Sequence, residues 1–180
     1  DRTVVLFTAD NGVHQGEQRR RGEGTKGGPY DVGLRVPVIA AGPGFEPGPD
    51  IDVPVYPSQD LAATLIDIAG ATPTLPAQAG ISLRTLLADP AAHSQRTLLH
   101  EFPPAYVAGD GVSTGVRHEL GHWKLARYPS ARVGGAPETY EMYDLAADPD
   151  EQHNVADAPE HRARRDQLES LLDGLLANGA

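Results

Sequence analysis

Asp10, Asn11 and Gly12 directly follow the apolar run Thr3-Val-Val-Leu-Phe-Thr8. A carboxylate beside an amide carbonyl offers two hard oxygen donors, which suit Ca²⁺ or Mg²⁺ rather than a soft metal. Asp-Asn-Gly is also a good tight turn, and on the tripeptide alone the turn is the stronger reading. Downstream, fifteen residues after Asn11, Lys26 sits in Gly24-Thr-Lys26-Gly-Gly-Pro-Tyr30-Asp31. Between them lie His14, Glu17 and Arg19-Arg20-Arg21. Glu17 and the arginines could select an anionic substrate, but a solvated loop explains them better. His118 and His122 flank a strand without carboxylates at metal-ligand spacing and read as structural.

These residues need elements to position them. The unbroken apolar run over residues 3–8 suits a central parallel strand covered on both faces. Ligand sites of open α/β sheets collect just past the carboxyl ends of such strands. Residues 9–30 read as a loop, with a second strand over 35–40 in which Pro37 belongs at a start, edge or bulge. The proline-rich stretch from Gly42 to Pro57 reads as a surface connection. A helix is predicted over Gln59–Ala69, capped by Ser58, ended by Gly70 and striped by Leu61, Leu65 and Ile68. A shorter helix runs from Ile81 to Ala88 and stops at Pro90.

After residue 95 the pattern changes. Segments 96–101, 113–119, 122–128 and 139–145 read as four short strands of an antiparallel sheet. Trp123, Tyr128, Tyr140 and Tyr143 are expected to pack it. The capping-box-like start Asp157-Ala-Pro-Glu160 opens a last helix. Its Leu168, Leu171, Leu172, Leu175 and Leu176 form one face directed at the sheet.

Composition narrows the function classes. Across 180 residues, Lys plus Arg number 15 and Asp plus Glu 25, a net charge of −10. That balance speaks against a nucleic-acid partner, which needs a basic face. No apolar run approaches the roughly 20 residues that span a bilayer, so no membrane partner is expected. With no cysteine, disulfides, thiolate metal sites and a Cys nucleophile are excluded within these residues. The chain opens on a strand already under way, without a signal-peptide pattern, and is expected to be the C-terminal part of a longer protein.

The stretch from Thr8 to Gly44 closely resembles the central motif of the type I sulfatases of the alkaline-phosphatase-like superfamily. That pattern is a strand ending in Ser/Ala-Asp-Asn/His-Gly, a glycine-rich loop, a Lys with Tyr or Phe four positions later, and Arg-Val-Pro opening the next strand. Here these are Ala9-Asp10-Asn11-Gly12, Lys26 with Tyr30, and Arg35-Val36-Pro37. His14-Gln-Gly-Glu17 resembles the His-x-Gly-Glu run of one subgroup. Val55 to Gly70, Gly80-Ile-Ser-Leu83, Trp123-Lys124-Leu125 and Glu141 to Val155 resemble later family segments in the same order.

The resemblance implies an α/β fold that is part of the alkaline-phosphatase-like sulfatase core over residues 1–92. A C-terminal α+β subdomain, a small antiparallel sheet packed by a helix, follows over 93–180. It implies Asp10 and Asn11 as two ligands of a single divalent cation, usually Ca²⁺ with Mg²⁺ as the alternative. It implies Lys26 at the sulfate or its bridging oxygen, and His14 lining the substrate pocket. The substrate would be a sulfated small molecule or carbohydrate. The family's nucleophile is a formylglycine matured from Cys/Ser-x-Pro/Ala-x-Arg, and no such pentapeptide occurs here. The expectation is therefore half a site, inactive without an N-terminal half of the same protein. Many family members are exported, but the compartment is not legible in these residues. Two other readings stay open: a phosphate or phosphonate ester hydrolase of the same superfamily, and a structural or binding module without catalysis.

Overall fold

The computed structural model describes residues 2–19, 26–48, 53–72, 80–94, 96–102, 113–118, 122–128 and 138–177. The chain packs as two compact units. The first comprises Asp1–Asp10 and Val36–Arg96, the second Asn11–Arg35 and Thr97–Ala180. The sequence division at residue 92 falls near the end of the first unit, but residues 11–35 pack with the second.

In the first unit, β1 (Val5–Phe7) pairs with β2 (Ile39–Ala41) in the registers Val5↔Ala41, Leu6↔Ala40 and Phe7↔Ile39. The pairing is antiparallel and the sheet has two strands, which corrects the expected central parallel strand. Leu6 and Ala40 turn inward, onto the core of Phe45, Val53, Leu83 and Leu86. Val5, Phe7 and Ile39 turn outward and are 58–59% exposed. A continuous apolar run says that both faces avoid water; it does not say that both are covered by the same chain.

Helix α2 (Pro57–Ala69) starts with Pro at its first turn and ends at Gly70 in the left-handed region, φ 60°. Its cap is Tyr56 rather than Ser58. The Asp60 carboxylate, one turn in, accepts the Tyr56 N–H at 2.7 Å. Of the expected stripe, Leu61 and Ile68 pack on the core while Leu65 is exposed, and Asp60 and Thr64 beside them are fully covered. Thr64 donates to the Asp60 carbonyl at 2.6 Å and accepts from the Leu83 N–H at 2.8 Å. Asp60 also accepts from the Ile81 N–H at 2.8 Å and from Arg96 through both guanidinium arms, at 2.7 and 3.0 Å. These bonds fasten α3 (Leu83–Ala88, capped by Ser82) to α2.

The second unit holds the four-stranded antiparallel sheet in the order β3 (Thr97–Phe102), β4 (Ser113–His118), β5 (Trp123–Tyr128), β6 (Thr139–Asp144). Helix α4 (Arg162–Ala177) lays Leu168 and Leu172 onto Trp123, Leu125, Met142 and Ala156. The chain enters α4 through a tighter turn, Pro159–His161, whose cap Ala158 makes no side-chain hydrogen bond. Asp157 does not cap the helix; its carboxylate meets Arg165 at 3.2 Å, whose guanidinium lies 4.0 Å over the Tyr140 ring.

The sheet is covered on its other face as well. Strand β5 alternates, so Trp123 and Leu125 face α4 while Lys124, Ala126 and Tyr128 face away. That second face meets residues 29–34, including the short helix α1 (Asp31–Leu34), with Leu34 on Ala126 and Tyr128. This packing is why residues 11–35 belong with the second unit.

Candidate functional site

Asp10, exposed, ends the first segment of one unit, and Asn11, half-buried, opens the other. The Asn11 Nδ2 donates to the Gly12 carbonyl at 2.6 Å. The Gly12 N–H donates in turn to the Gly33 carbonyl at 3.0 Å. A Cβ at Gly12 would lie 2.1 Å from the Val32 carbonyl oxygen, so only glycine allows this approach of the Asn11 segment to α1.

His14 is 1% exposed. Its ring stands edge-on to Tyr30 at 5.8 Å, and its Nε2 would sit 3.2 Å from a Cβ at Gly33. The structure therefore places His14 inside the loop, packed against the tyrosine that follows Lys26. The Glu17 carboxylate accepts its neighbour Gln15's N–H at 2.5 Å. Its own backbone N–H and that of Gln15 hold it below the usual carboxylate range. Gln18, at φ 46°, donates to the Asp150 carbonyl at 3.0 Å. Arg20, Arg21 and the Arg19 side chain lie outside the described residues, as does the His118 side chain. His122 is exposed at a turn, φ 56°, where its carbonyl accepts the Leu145 N–H at 2.8 Å.

Lys26 is exposed and leads into Gly27 and Gly28, both with positive φ, 74° and 89°. Beyond them Gly28 and Pro29 are buried. The Pro29 carbonyl is held by Lys124, which lies in the Trp123-Lys124-Leu125 segment and to which the sequence pattern assigns no role. Its side chain is 2% exposed. Its Nζ donates to the Pro29 carbonyl at 2.8 Å, to Glu151 Oε1 at 2.6 Å, and to Asp31 Oδ1. The other Glu151 oxygen accepts the Asp31 N–H at 2.6 Å, the first helical N–H of α1. Burial pushes the Glu151 carboxyl up, against the opposing pull of Lys124.

Glu151 reaches this position on a turn that its own sequence motif builds. Asp148 accepts the N–H groups of Gln152 at 3.1 Å and His153 at 2.8 Å. Glu151 itself sits at φ 52°, uncommon for a residue with a side chain. Asn154 then ties the turn to the sheet: its Oδ1 accepts from Met142 and Ala156, each at 2.9 Å, and its Nδ2 donates to the Tyr140 carbonyl at 3.1 Å. Beside the turn, Tyr143 packs 6.3 Å from the Tyr30 ring, and burial raises its hydroxyl pKa far above the ordinary value. A cavity of about 960 Å³ opens here, lined by Glu17, Asp31, Arg35, Tyr143, Asp150 and Glu151 among others.

Asp10 and Asn11 match a hard divalent cation in donor type. In number they fall short, since such a cation takes six to eight oxygens (Ca²⁺) or a full octahedron (Mg²⁺). Among the described residues no three His, Cys, Asp or Glu side chains cluster to hold a metal ion. The pair can therefore supply only part of a coordination shell.

Comparison with known proteins bears on the whole chain. Residues 26–178 match the family model described as N-sulphoglucosamine sulphohydrolase, C-terminal. Arylsulfatase K of Mus musculus is 32% identical over 96% of this chain, which spans 30% of that protein's length. A solved 2-O GAG sulfatase superposes with a TM-score of 0.77 at 27% identity, over 97% of this chain and 36% of that one. The phosphonate monoester hydrolase of Agrobacterium radiobacter shares the fold, with a TM-score of 0.72 at 22% identity over 98% of this chain and 35% of its own. These likenesses meet the expected alkaline-phosphatase-like α/β fold with its small antiparallel sheet and C-terminal helix. The chain belongs to the N-sulphoglucosamine sulphohydrolase C-terminal family of the sulfatases.

Proposed function

We propose that this chain forms the C-terminal part of a sulfuric ester hydrolase and brings one side of its catalytic site. The observation that carries the reading is the family match beginning at Lys26, the cation of the glycine loop. In this reading Asp10 and Asn11 would hold part of the shell of a Ca²⁺ or Mg²⁺ ion. When bound, such an ion supplies polarisation of the sulfate oxygens. Lys26 Nζ donates a hydrogen bond to the bridging ester oxygen and offsets the charge that collects there as the S–O bond breaks. His14 holds the Tyr30 ring, and with it the loop that ends the substrate pocket. The sequence contains no Cys/Ser-x-Pro/Ala-x-Arg, so a nucleophile must come from a segment outside these residues. An N-terminal half of the same protein is the proposed source, in keeping with the chain's span of about one third of its relatives.

The proposed substrate is a sulfated sugar or small molecule, in line with the 2-O GAG sulfatase that shares the fold. The test is hydrolysis of 4-nitrophenyl sulfate by the polypeptide that carries this chain. Lys26→Ala should lower kcat/KM about 10²-fold, the scale of one lost preorganised donor. An unchanged rate removes Lys26 from the site. A second reading, phosphonate or phosphate ester hydrolysis, is favoured by the fold shared with the phosphonate monoester hydrolase. Faster turnover of a phenyl phosphonate monoester than of the aryl sulfate selects it.

A further inference from the structure

We propose that Lys124, Glu151 and Asp31 form a buried latch that sets the position of Lys26, making Lys124 and Glu151 positioning residues for the reaction. The proposal rests on the catalytic reading of Lys26 above.

Lys26 leads into Gly27 and Gly28, which carry no side chains and adopt positive φ. Just beyond them, the Pro29 carbonyl and the Asp31 carboxylate are both acceptors of the Lys124 ammonium. An ammonium has three donors, and Pro29, Asp31 and Glu151 supply three acceptors. Glu151 closes the ring by accepting the Asp31 N–H with its second oxygen. Helix α1 has no side-chain cap from its own Tyr30, so this distant carboxylate takes the place of one.

The arrangement is a costly way to gain stability alone. Burying ions is expensive, and apolar residues of similar volume often serve as well or better. One cation here faces two carboxylates, of which Glu151 is 2% and Asp31 13% exposed. What the cluster adds beyond packing is direction. The Lys124 ammonium, on strand β5, reaches the Pro29 carbonyl and the Asp31 carboxylate, and Glu151, on the turn that Asp148 and Asn154 pin to the sheet, reaches the Asp31 N–H. Displacing a reacting group by about 1 Å can cost about 10²-fold in rate, so fixing this loop is worth the cost of burying the ions.

Two variants test the latch: Glu151→Gln, which keeps the shape, and Lys124→Met. Amide hydrogen exchange is read in the 180-residue chain at Gly27, Gly28 and 30–34 against β5 and β6. The kcat and KM for 4-nitrophenyl sulfate are read in the polypeptide that carries it. The expected result is loop exchange faster by about 10-fold or more with the sheet unchanged, together with a kcat lowered about 10-fold or more while KM moves little. Equal loosening of sheet and loop makes the cluster a stabiliser only and overturns the proposal. So does an unchanged loop, or a loosened loop with an unchanged kcat. Should Lys124→Met fail to fold, Glu151→Gln decides. Lys26→Ala in the same assay keeps the two readings apart: an unchanged kcat there fails the role of Lys26, whereas a fall there beside an unaffected Glu151→Gln fails the latch alone.

Discussion

Glu151 accepts the backbone N–H of Asp31 at 2.6 Å across a sequence separation of 120 residues, and its other oxygen takes the Lys124 ammonium. This carboxylate joins the family's C-terminal Asp148-to-Val155 segment to its central Lys26-to-Arg35 segment. Two motifs far apart in sequence are thus two ends of one hydrogen-bonded assembly.

The pH dependence of stability should carry the mark of Glu151. Burial raises its carboxyl above the ordinary value of 4.5 in the folded chain. The folded state then binds this proton more tightly than the unfolded state does. The group's contribution is fully present below about pH 4.5 and is lost as pH rises through the raised value. The urea midpoint of wild type should therefore rise relative to that of Glu151→Gln as pH falls. A wild-type advantage that grows toward alkaline pH would contradict the raised value.

Asp60 should be the residue whose loss most damages the first unit. Its side chain is fully covered and its partner Arg96 is 12% exposed. Besides Arg96, it accepts two backbone N–H groups, from Tyr56 and Ile81. Asp60→Ala leaves the guanidinium partly buried and uncompensated, a loss of about 3–5 kcal/mol for a broken buried pair. Chemical denaturation should show it. Arg84→Ala is the control: its ion pair with Asp67 is 3.9 Å long and 43% exposed on each side, so a change below about 1 kcal/mol is expected.

Asn154→Ala removes three hydrogen bonds, two that tie the Glu151 turn to β6 and one within the turn, to Ala156. The Met142 and Ala156 N–H groups lose their acceptor, and both residues are buried. With about 1 kcal/mol net per bond and a further penalty for orphaned donors, a loss of about 2–4 kcal/mol is expected. Asn154→Asp keeps the acceptor and should recover most of it. A denaturation series that ranks the two variants equally would remove the acceptor role.

Local signals carried much of this architecture. The four strands of the sheet lie within one or two residues of their predicted bounds, because turn residues separate short β-prone runs. The Leu168–Leu176 stripe meets the sheet as its spacing implies. The pairing of β1 was not legible, since an apolar run states how dry a strand is and not which way its partner runs. Ser58 lies inside α2 because Pro57, with its fixed φ, already serves as the first helical residue, and Tyr56 at the boundary makes no side-chain cap bond. The role of Lys124 is not legible in Trp123-Lys124-Leu125: a buried cation sits in a strand like an exposed one, and its partners lie 93 and 27 residues away. For the candidate site, the sequence pattern nominated Asp10, Asn11, Lys26 and His14. That His14 is an interior packing partner of Tyr30 follows from contacts that no spacing encodes.

The 180 residues by themselves should bind Ca²⁺ weakly. Two oxygen donors make a small part of a calcium shell, and affinity at oxygen sites follows charge count and rigidity. Stabilisation grows as RT ln(1 + [L]/Kd), so a millimolar addition to a site with Kd near or above that level gives less than about 0.5 kcal/mol. A thermal melt with and without 1 mM (roughly) CaCl₂ should show little shift, and Asp10→Asn should abolish whatever shift there is. A large shift would mean that these residues complete a shell of their own.

Gly12 and Gly33 should respond unequally to the same added methyl. At Gly12 a Cβ would lie 2.1 Å from the Val32 carbonyl oxygen and 3.3 Å from the Gly33 Cα, both backbone. Relief requires moving the start of the loop away from α1, which breaks the Gly12-to-Gly33 hydrogen bond at 3.0 Å. At Gly33 the nearest atom is His14 Nε2 at 3.2 Å, on a side chain that can shift by a few tenths of an ångström. Gly12→Ala should therefore cost about 2–3 kcal/mol, the upper part of the range for overpacking, and Gly33→Ala about 1 kcal/mol or less. Denaturation midpoints give the ranking. Hydrogen exchange gives its location, with protection falling at 30–34 in Gly12→Ala while β5 and β6 hold. If the Asn11 amide oxygen is a ligand of a cation in the complete site, Gly12→Ala should also weaken that site, because this close approach helps to anchor the Asn11 backbone. An equal cost for the two substitutions would show that the Val32 carbonyl yields as easily as an imidazole, and the anchor would then be no constraint on Asn11.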